Sequence, residues 1–489
     1  MLFNSHIFML LFLPLLLAGW YFLNWKKKFQ LAQGYLIGMS LWFYAYANLQ
    51  YLWLLLFSCL IGWLLSCLPE KIFSEKGKKV LTGVGCVFHL GLLGYFKYSN
   101  FFLENLNTVF HTDFPMLQIL LPVGISFYTF QQLAYLIDRC RGDAPRDSFF
   151  DYLTFMVYFP QLLQGPILLR SEFMGQLKEP ERRRFHAERF SEGIQFFVFG
   201  LAKKVLLADT LAKAVNYGYS NVSMLDSISA LLLAVGYLTE LYFDFSGYCD
   251  MAVGLGKMIG LEVAENFDAP FHSASVKEFW RRWHMTLGRF FTRYVYIPLG
   301  GNRRGKMRTL CNVMIVMLLS GLWHGAAWTF VLWGFLHGVG MIWDNLEHPH
   351  LPKKWMRQAA TFAYVCMTFV FFRAESIAQG GDVLKSIVSL KWNGFVFQMA
   401  SALDMTECYM ITKALSMKLP GLLSWFWLGI FVVLIAICFR VLSGEKVSGV
   451  VALKRQKGYG RLYPVLLAVL FTWSMISMTG VSEYLYFSF

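Results

Sequence analysis

The chain has 489 residues, 57% hydrophobic and 18% aromatic, with 44 Lys and Arg against 30 Asp and Glu. Soluble domains run at about 45–50% apolar, so this composition excludes an ordinary soluble protein and puts most of the chain in a bilayer. The net charge of +14 does not indicate nucleic acid, because the basic residues fall in short loops between apolar runs, as cytoplasmic loops of membrane proteins do.

In chain order, the first apolar run, 8–22, is followed by Lys26, Lys27 and Lys28. A secretory signal peptide carries its charge ahead of the run, so this reads as a membrane helix that stays. A crossing needs about 20 mostly apolar residues. On that measure the predicted segments are 7–24, 30–48, 50–68, 80–98, 117–137, 192–216, 226–248, 311–340, 359–374, 423–441 and 463–480. Shorter runs at 150–168 and 248–262, broken by Gly and Pro, are expected to be re-entrant or buried, since irregular backbone at membrane depth must be covered by protein or line a cavity. The predicted fold class is an all-α polytopic membrane protein with about 11 transmembrane helices plus re-entrant or short helices.

Basic loops set the predicted orientation. Lys26–Lys28, the 71–79 loop (Lys71, Lys76, Lys78, Lys79), Arg139, Arg141, Arg146, the 178–189 stretch, the 277–308 region and the 440–461 stretch (Arg440, Lys446, Lys454, Arg455, Lys457, Arg461) are expected to face the cytoplasm. The 99–115 loop, with Glu104, Asp113 and no Lys or Arg, is expected outside. Both termini then lie outside, and 376–422 is an outside loop with short helices. Nine scattered cysteines without a Cys-x-x-Cys argue against a disulfide framework or a zinc site.

The chemistry concentrates in two tryptophan-rich stretches, Phe279-Trp-Arg-Arg-Trp-His284 and Gly321-Leu-Trp-His324-Gly325. An ionisable residue in such a setting is costly and marks a functional site by default, and His is the side chain suited to proton transfer near neutral pH. Taken as one helix, 279–293 puts Arg282, Arg289 and Arg293 within about 20° of a line, with His284 about 200° from Arg282 on an aromatic face with Trp280. The arginine line is either an anchor in lipid headgroups or a phosphate site, for which Arg is geometrically suited. His324 lies among residues that offer few polar partners. Gly321 and Gly325 allow close approach, and Trp328 is expected to stack one turn later. Burial disfavours the charged imidazole, and a neutral ring is what a general base requires. His337, about 140° around the same predicted helix, is expected not to join His324 but to pack or to support the site from behind.

Other polar residues sit in apolar surroundings. Glu240 and Asp244 are four apart on one helix face, followed by Asp250; they are either part of a site or carboxylates paired with Lys or Arg. Tyr158-Phe-Pro-Gln161-Leu-Leu-Gln164-Gly-Pro-Ile167 reads as a bent segment lining a cavity. There is no GxSxG elbow, P-loop or HExxH, and no metal-ligand spacing. An imidazole base suits activation of a hydroxyl against a thioester, which needs no protein nucleophile.

These residues resemble the membrane-bound O-acyltransferase family, in its bacterial branch typified by alginate O-acetyltransferases. The likeness rests on LPVGISFYTFQQLAYLID (121–138), YFPQLLQGPI (158–167), YFDFSGYCDMAVGLGKMIG (242–260), ENFDAPF (265–271), FWRRWH through YIPLGGNRRG (279–305) and GLWHGAAWTFVLWGFLHG (321–338). It covers about 115–345; the flanks, 1–114 and 346–489, match only in hydropathy, and the whole chain reads as one membrane-embedded domain. Cys249 stands where the resemblance leads one to expect Ser.

The resemblance implies a helical bundle around a central tunnel in a bacterial inner membrane. His324 corresponds to the catalytic histidine and His284 to a second active-site residue. The implied donor, acetyl-CoA or an acyl-phosphopantetheine carrier protein, approaches from the cytoplasm; no cofactor is held tightly and no metal is expected. The acceptor is a cell-surface polymer, reached directly or through an extracytoplasmic partner protein. Candidates for substrate or donor contact are Trp280, Arg281, Arg282, Arg293, Trp323, Trp328, Gln161, Gln164, Asp244 and Asn266. The nearest alternative is D-alanyl transfer to teichoic acid. In a transporter or flippase the two histidines would form a proton relay, and substrate would move without a thioester donor. A lipid-binding structural protein is the weakest reading.

Overall fold

The computed structural model describes residues 1–46, 49–67, 74–346, 352–442, 446–458, 460, 462–478 and 484–485, and every regular element among them is helical. Among the described residues six helices are long and apolar enough to cross a membrane: Phe8–Trp25, Leu49–Cys67, Glu75–Phe110, Ser227–Met258, Lys306–His324 and Pro420–Phe439. Trp328–Trp343 and Leu462–Ser477 are shorter apolar helices. The first, second and last of the six carry no charged residue at all, as expected of helices whose outer faces meet lipid.

Ser227–Met258 is the organising element. Its 32 residues span about 48 Å, more than the ~30 Å of a hydrocarbon core. It starts at a reciprocal cap, in which Asp226 accepts from Ser229 N and the Ser229 hydroxyl accepts from Asp226 N, both at 2.8 Å. The neighbouring Ala187–Ala202 helix lies almost in backbone contact with it. A Cβ on Gly193 would sit 2.7 Å from the Gly254 carbonyl oxygen, and one on Gly254 2.5 Å from that of Gly193. Small residues at this seam allow the approach. Further along the same helix pair, Lys204 is bonded to Asp244 at 2.6 Å and Asp209 at 2.8 Å, and Lys203 to Asp250 at 2.6 Å.

Several predicted boundaries change. The 248–262 run is not a separate re-entrant piece but the continuation of the 227–258 helix to Met258. The helix expected from 117 begins at Ile125, after Gly124 in the left-handed region at φ 78°. The 311–340 segment is a helical hairpin rather than one helix: Lys306–His324 ends, Gly325 and Ala327 are extended at φ −157° and −151°, and Trp328–Trp343 returns. The two arms touch at Gly321 and Gly334, where a Cβ on Gly321 would lie 2.3 Å from the Phe330 carbonyl oxygen. The 150–168 run is indeed short and broken, as Phe149–Val157 and Phe159–Leu162 followed by buried coil.

Several of the basic regions touch other parts of the chain. Arg183 donates to Phe29 O, Arg141 to Arg293 O, and Lys446 pairs with Asp268 at 2.9 Å. Lys71 and Arg461, and the side chains of Arg440, Arg455 and Lys457, lie outside the described residues.

Candidate active site

His284 sits at a break. The Val276–Arg282 helix closes with Trp283 N donating to Phe279 O at 2.8 Å, and Met285–Phe291 begins beyond it. His284 joins them with φ 46° and ψ 51°. A left-handed non-glycine residue costs about 1–2 kcal/mol, so surrounding contacts must over-determine it. Asn266 supplies them. Its backbone oxygen accepts from Met285 N at 3.0 Å. Its Oδ1 accepts from Thr286 N at 3.0 Å and Thr286 Oγ1 at 2.9 Å, and lies 3.2 Å from His284 Nδ1. Because the Thr286 N–H fixes that atom as the amide oxygen, the facing ring nitrogen must be the donor. His284 is therefore held with its proton on Nδ1 and its lone pair on Nε2. The Thr286 hydroxyl in turn accepts from Ile167 N at 3.0 Å, tying the bent 158–167 segment to the same junction.

His324 is the last residue of its helix and is 4% exposed; His284 is fully buried. The two imidazole centroids are 6.4 Å apart. Aromatic rings box in His324: Trp323 at 4.9 Å, Trp333 at 5.1 Å and Phe372 at 5.2 Å. His284 has Phe245 at 4.7 Å and Trp323 at 6.1 Å.

Two cavities approach the pair. A small one of about 50 Å³ is bordered by His324, Trp323, Lys97, Ser126 and Leu163. A large one of about 890 Å³ has Lys203, Cys249, Asp250, Asn266 and Lys446 in its wall. Asn266 thus borders the large cavity and holds His284, while His324 borders the small one. Imidazoles so placed can exchange a proton with a hydroxyl entering from one side and face an acyl group arriving from the other.

Of the residues singled out in the sequence, His324, His284, Trp323 and Asn266 come together. The arginine line does not exist, because the break at His284 divides it. Arg282 pairs with Glu278 at 2.9 Å, Arg289 with Glu172, and Arg293 with Asp138 and Asp143 at 3.0 and 2.8 Å. Arg281 is exposed. Trp328 does not cover His324: it is 57% exposed and donates to Asn105 Oδ1 at 2.8 Å. The hairpin turn gives that place to Trp333. Trp280 donates to His337 Nδ1 at 3.2 Å, and His337 Nε2 lies 2.9 Å from the Thr368 hydroxyl. His337 lies between Trp280 and Thr368 on the opposite hairpin arm from His324. Asp244 is taken by Lys204 and the Leu485 amide. Gln161 donates to Phe155 O, whereas the fully buried Gln164 carboxamide has no hydrogen-bond partner among the described residues.

The sequence reading missed Thr286, Trp333 and above all Lys97, whose ammonium donates to the carbonyl oxygens of Trp323 and His324 at 2.7 and 2.8 Å. A lysine inside the apolar 80–98 run was the available signal.

Comparison with known proteins bears directly on this arrangement. Residues 143–377 match the description MBOAT, membrane-bound O-acyltransferase family, a span that holds both histidines. The chain is 35% identical to the peptidoglycan O-acetyltransferase of Helicobacter pylori over 80% of each chain. It is 38% identical to the probable alginate O-acetylase AlgI of Pseudomonas aeruginosa over 77% of this chain and 73% of that one. The teichoic acid D-alanyltransferase of Bacillus subtilis is 28% identical over 52% of this chain and 69% of its own. A likeness of this extent, running through the helices that carry and enclose the paired imidazoles, makes the chain a member of the membrane-bound O-acyltransferase family, a multi-pass membrane acyltransferase.

Proposed function

We propose that the protein is an O-acetyltransferase of the bacterial inner membrane that passes acetyl groups from a cytoplasmic thioester towards hydroxyls of an exported polysaccharide or peptidoglycan. The observation that carries this reading is the pair of buried imidazoles 6.4 Å apart between two cavities, one ring locked by Asn266. His324 is the base that takes the acceptor proton; His284, whose Nε2 can only accept, positions the donor by accepting from an N–H of its pantetheine arm. The large cavity, of about 890 Å³, is the route of the donor's pantetheine arm, on coenzyme A or on a carrier protein. The small cavity is the acceptor's side, and an extracytoplasmic protein can relay the acyl group to the polymer. Gln164, with an unspent carboxamide in the bent segment, is a candidate contact for a polar group of the donor. The N-terminus and the 99–115 loop lie outside. Acetyl rather than D-alanyl transfer is favoured by the higher identity and coverage of the acetylating relatives.

The test is ester-linked acetate on the envelope polymer of cells carrying His324→Ala or His324→Gln at matched membrane levels. Loss in both supports the reading, because Gln keeps polarity but not basicity; retention near wild type in either overturns it. For orientation, a single cysteine at Glu104 in a Cys-free background should label from outside, and labelling only from the cytoplasmic side reverses the topology.

A further inference from the structure

Lys97 occupies the apolar part of the Glu75–Phe110 helix, where an ammonium has little water to stabilise it. A π turn over Gly94–Tyr98 interrupts the regular helix there; such turns recur at functional sites. Lys97 Nζ donates to Trp323 O at 2.7 Å and His324 O at 2.8 Å, and the Tyr98 hydroxyl donates to Leu322 O at 2.5 Å. These are three of the four terminal carbonyls of the Lys306–His324 helix, the groups an α-helix cannot satisfy internally. A cation at that end also opposes the helix dipole.

Capping explains where Lys97 is anchored but not why the cap is an ammonium. A hydroxyl suffices for Leu322, as Tyr98 shows. Two of the three ammonium protons are committed to backbone oxygens, and Lys97 and His324 both border the small cavity. One anchored cation and one histidine therefore line the same confined space.

We propose that Lys97 is a catalytic residue that stabilises the oxyanion formed when an acceptor hydroxyl adds to the thioester carbonyl beside His324. In this step the hydroxyl proton goes to His324, the oxygen–carbon bond forms, and the carbonyl π pair moves onto the carbonyl oxygen. On collapse that pair re-forms the double bond, the carbon–sulfur bond breaks, and the departing thiolate takes the proton from His324. The oxygen carries full negative charge only between these events. An ammonium already held by two carbonyls needs no reorganisation to meet it, which is how preorganised donors lower a barrier. The inference rests on His324 as the base in the proposed acyl transfer.

The experiment measures base-labile acyl ester on the envelope polymer of cells carrying the full chain as Lys97→Met, Lys97→Gln, Lys97→Arg or His324→Ala. Ester is expressed per folded protein, quantified in detergent extracts by size-exclusion chromatography. Gln keeps N–H donors for the carbonyls without charge; Arg keeps both. Met and Gln are expected to lose roughly 10²-fold, as for removal of an oxyanion donor, while Arg recovers at least about a tenth of wild-type ester. Activity near wild type in Gln or Met overturns the proposal, as does equal loss in Arg and Gln. Retained activity in His324→Ala instead overturns the underlying reading of the site, so the two failures are told apart.

Discussion

On the 227–258 helix, neighbouring residues serve two different regions. Phe245 and Cys249 turn to the histidine junction, Phe245 as a ring 4.7 Å from His284 and Cys249 as acceptor of the Asn266 amide at 3.4 Å. Asp244 and Asp250 turn to Lys204 and Lys203 on the adjacent helix. Both regions bury ionisable groups in an apolar bundle, yet they solve the problem differently. In the lysine–aspartate region each aspartate meets an opposite charge at 2.6 Å, so even Lys203 and Asp250, which line the large cavity, present an already neutralised pair. In the histidine region His284 is held through one nitrogen by an amide oxygen rather than by an opposite charge, and Asn266 and His324 border the two cavities. A polar residue at membrane depth is thus not by itself a site. What marks chemistry is a group whose orientation is fixed by one side while the other faces space.

This comparison breaks most decisively at His324. Its replacement by Ala or Gln should cost about 10²–10⁴-fold in acyl transfer, the usual worth of a general base. The His284→Ala, His324→Ala double variant should be scarcely worse than His324→Ala, since groups acting as a unit lose activity non-additively; fully multiplied losses would make the two histidines independent. Next comes Asn266. In Asn266→Ala, His284 loses both its left-handed anchor and its tautomer lock. A fall in turnover of roughly 10²-fold is expected, in the range of removing a residue that orients an active-site histidine. Unchanged turnover in a stable Asn266→Ala protein would mean that His284 needs no lock.

Asp244→Ala should do the opposite. It strands Lys204 beside its remaining partner Asp209, and breaking a buried pair costs about 3–5 kcal/mol, with Asp209 keeping the loss at the low end. The expected outcome is a lower melting midpoint in detergent and less protein in the membrane, with turnover per folded molecule within about threefold of wild type. A large turnover loss at normal stability would move Asp244 into the reaction. The smallest effect is expected at Arg282. Its pair with Glu278 is partly exposed, and such pairs contribute about 0–1 kcal/mol. Arg282→Glu should leave the apparent donor KM within about twofold; a clear rise in KM at constant kcat would return Arg282 to the donor's phosphate.

The amino-acid sequence by itself determined the membrane class, most of the crossing segments and the two histidine-bearing stretches. These depend on the local density of apolar side chains and on the cost of an ionisable group among them, both of which are read along the chain. Tertiary structure alone decided what those stretches do. One residue's backbone, His284 at φ 46°, turns a predicted arginine line into three separately paired arginines, and it is held there by Asn266, 18 residues away. Gly325 and Ala327 fold one predicted helix into a hairpin, exchanging Trp328 for Trp333 over His324. The carbonyls at the tip of its first arm are held by Lys97 and Tyr98, more than 220 residues earlier in the chain. Periodicity carries no trace of such breaks, because each is set by hydrogen bonds from a remote segment rather than by the propensity of the residues that bend.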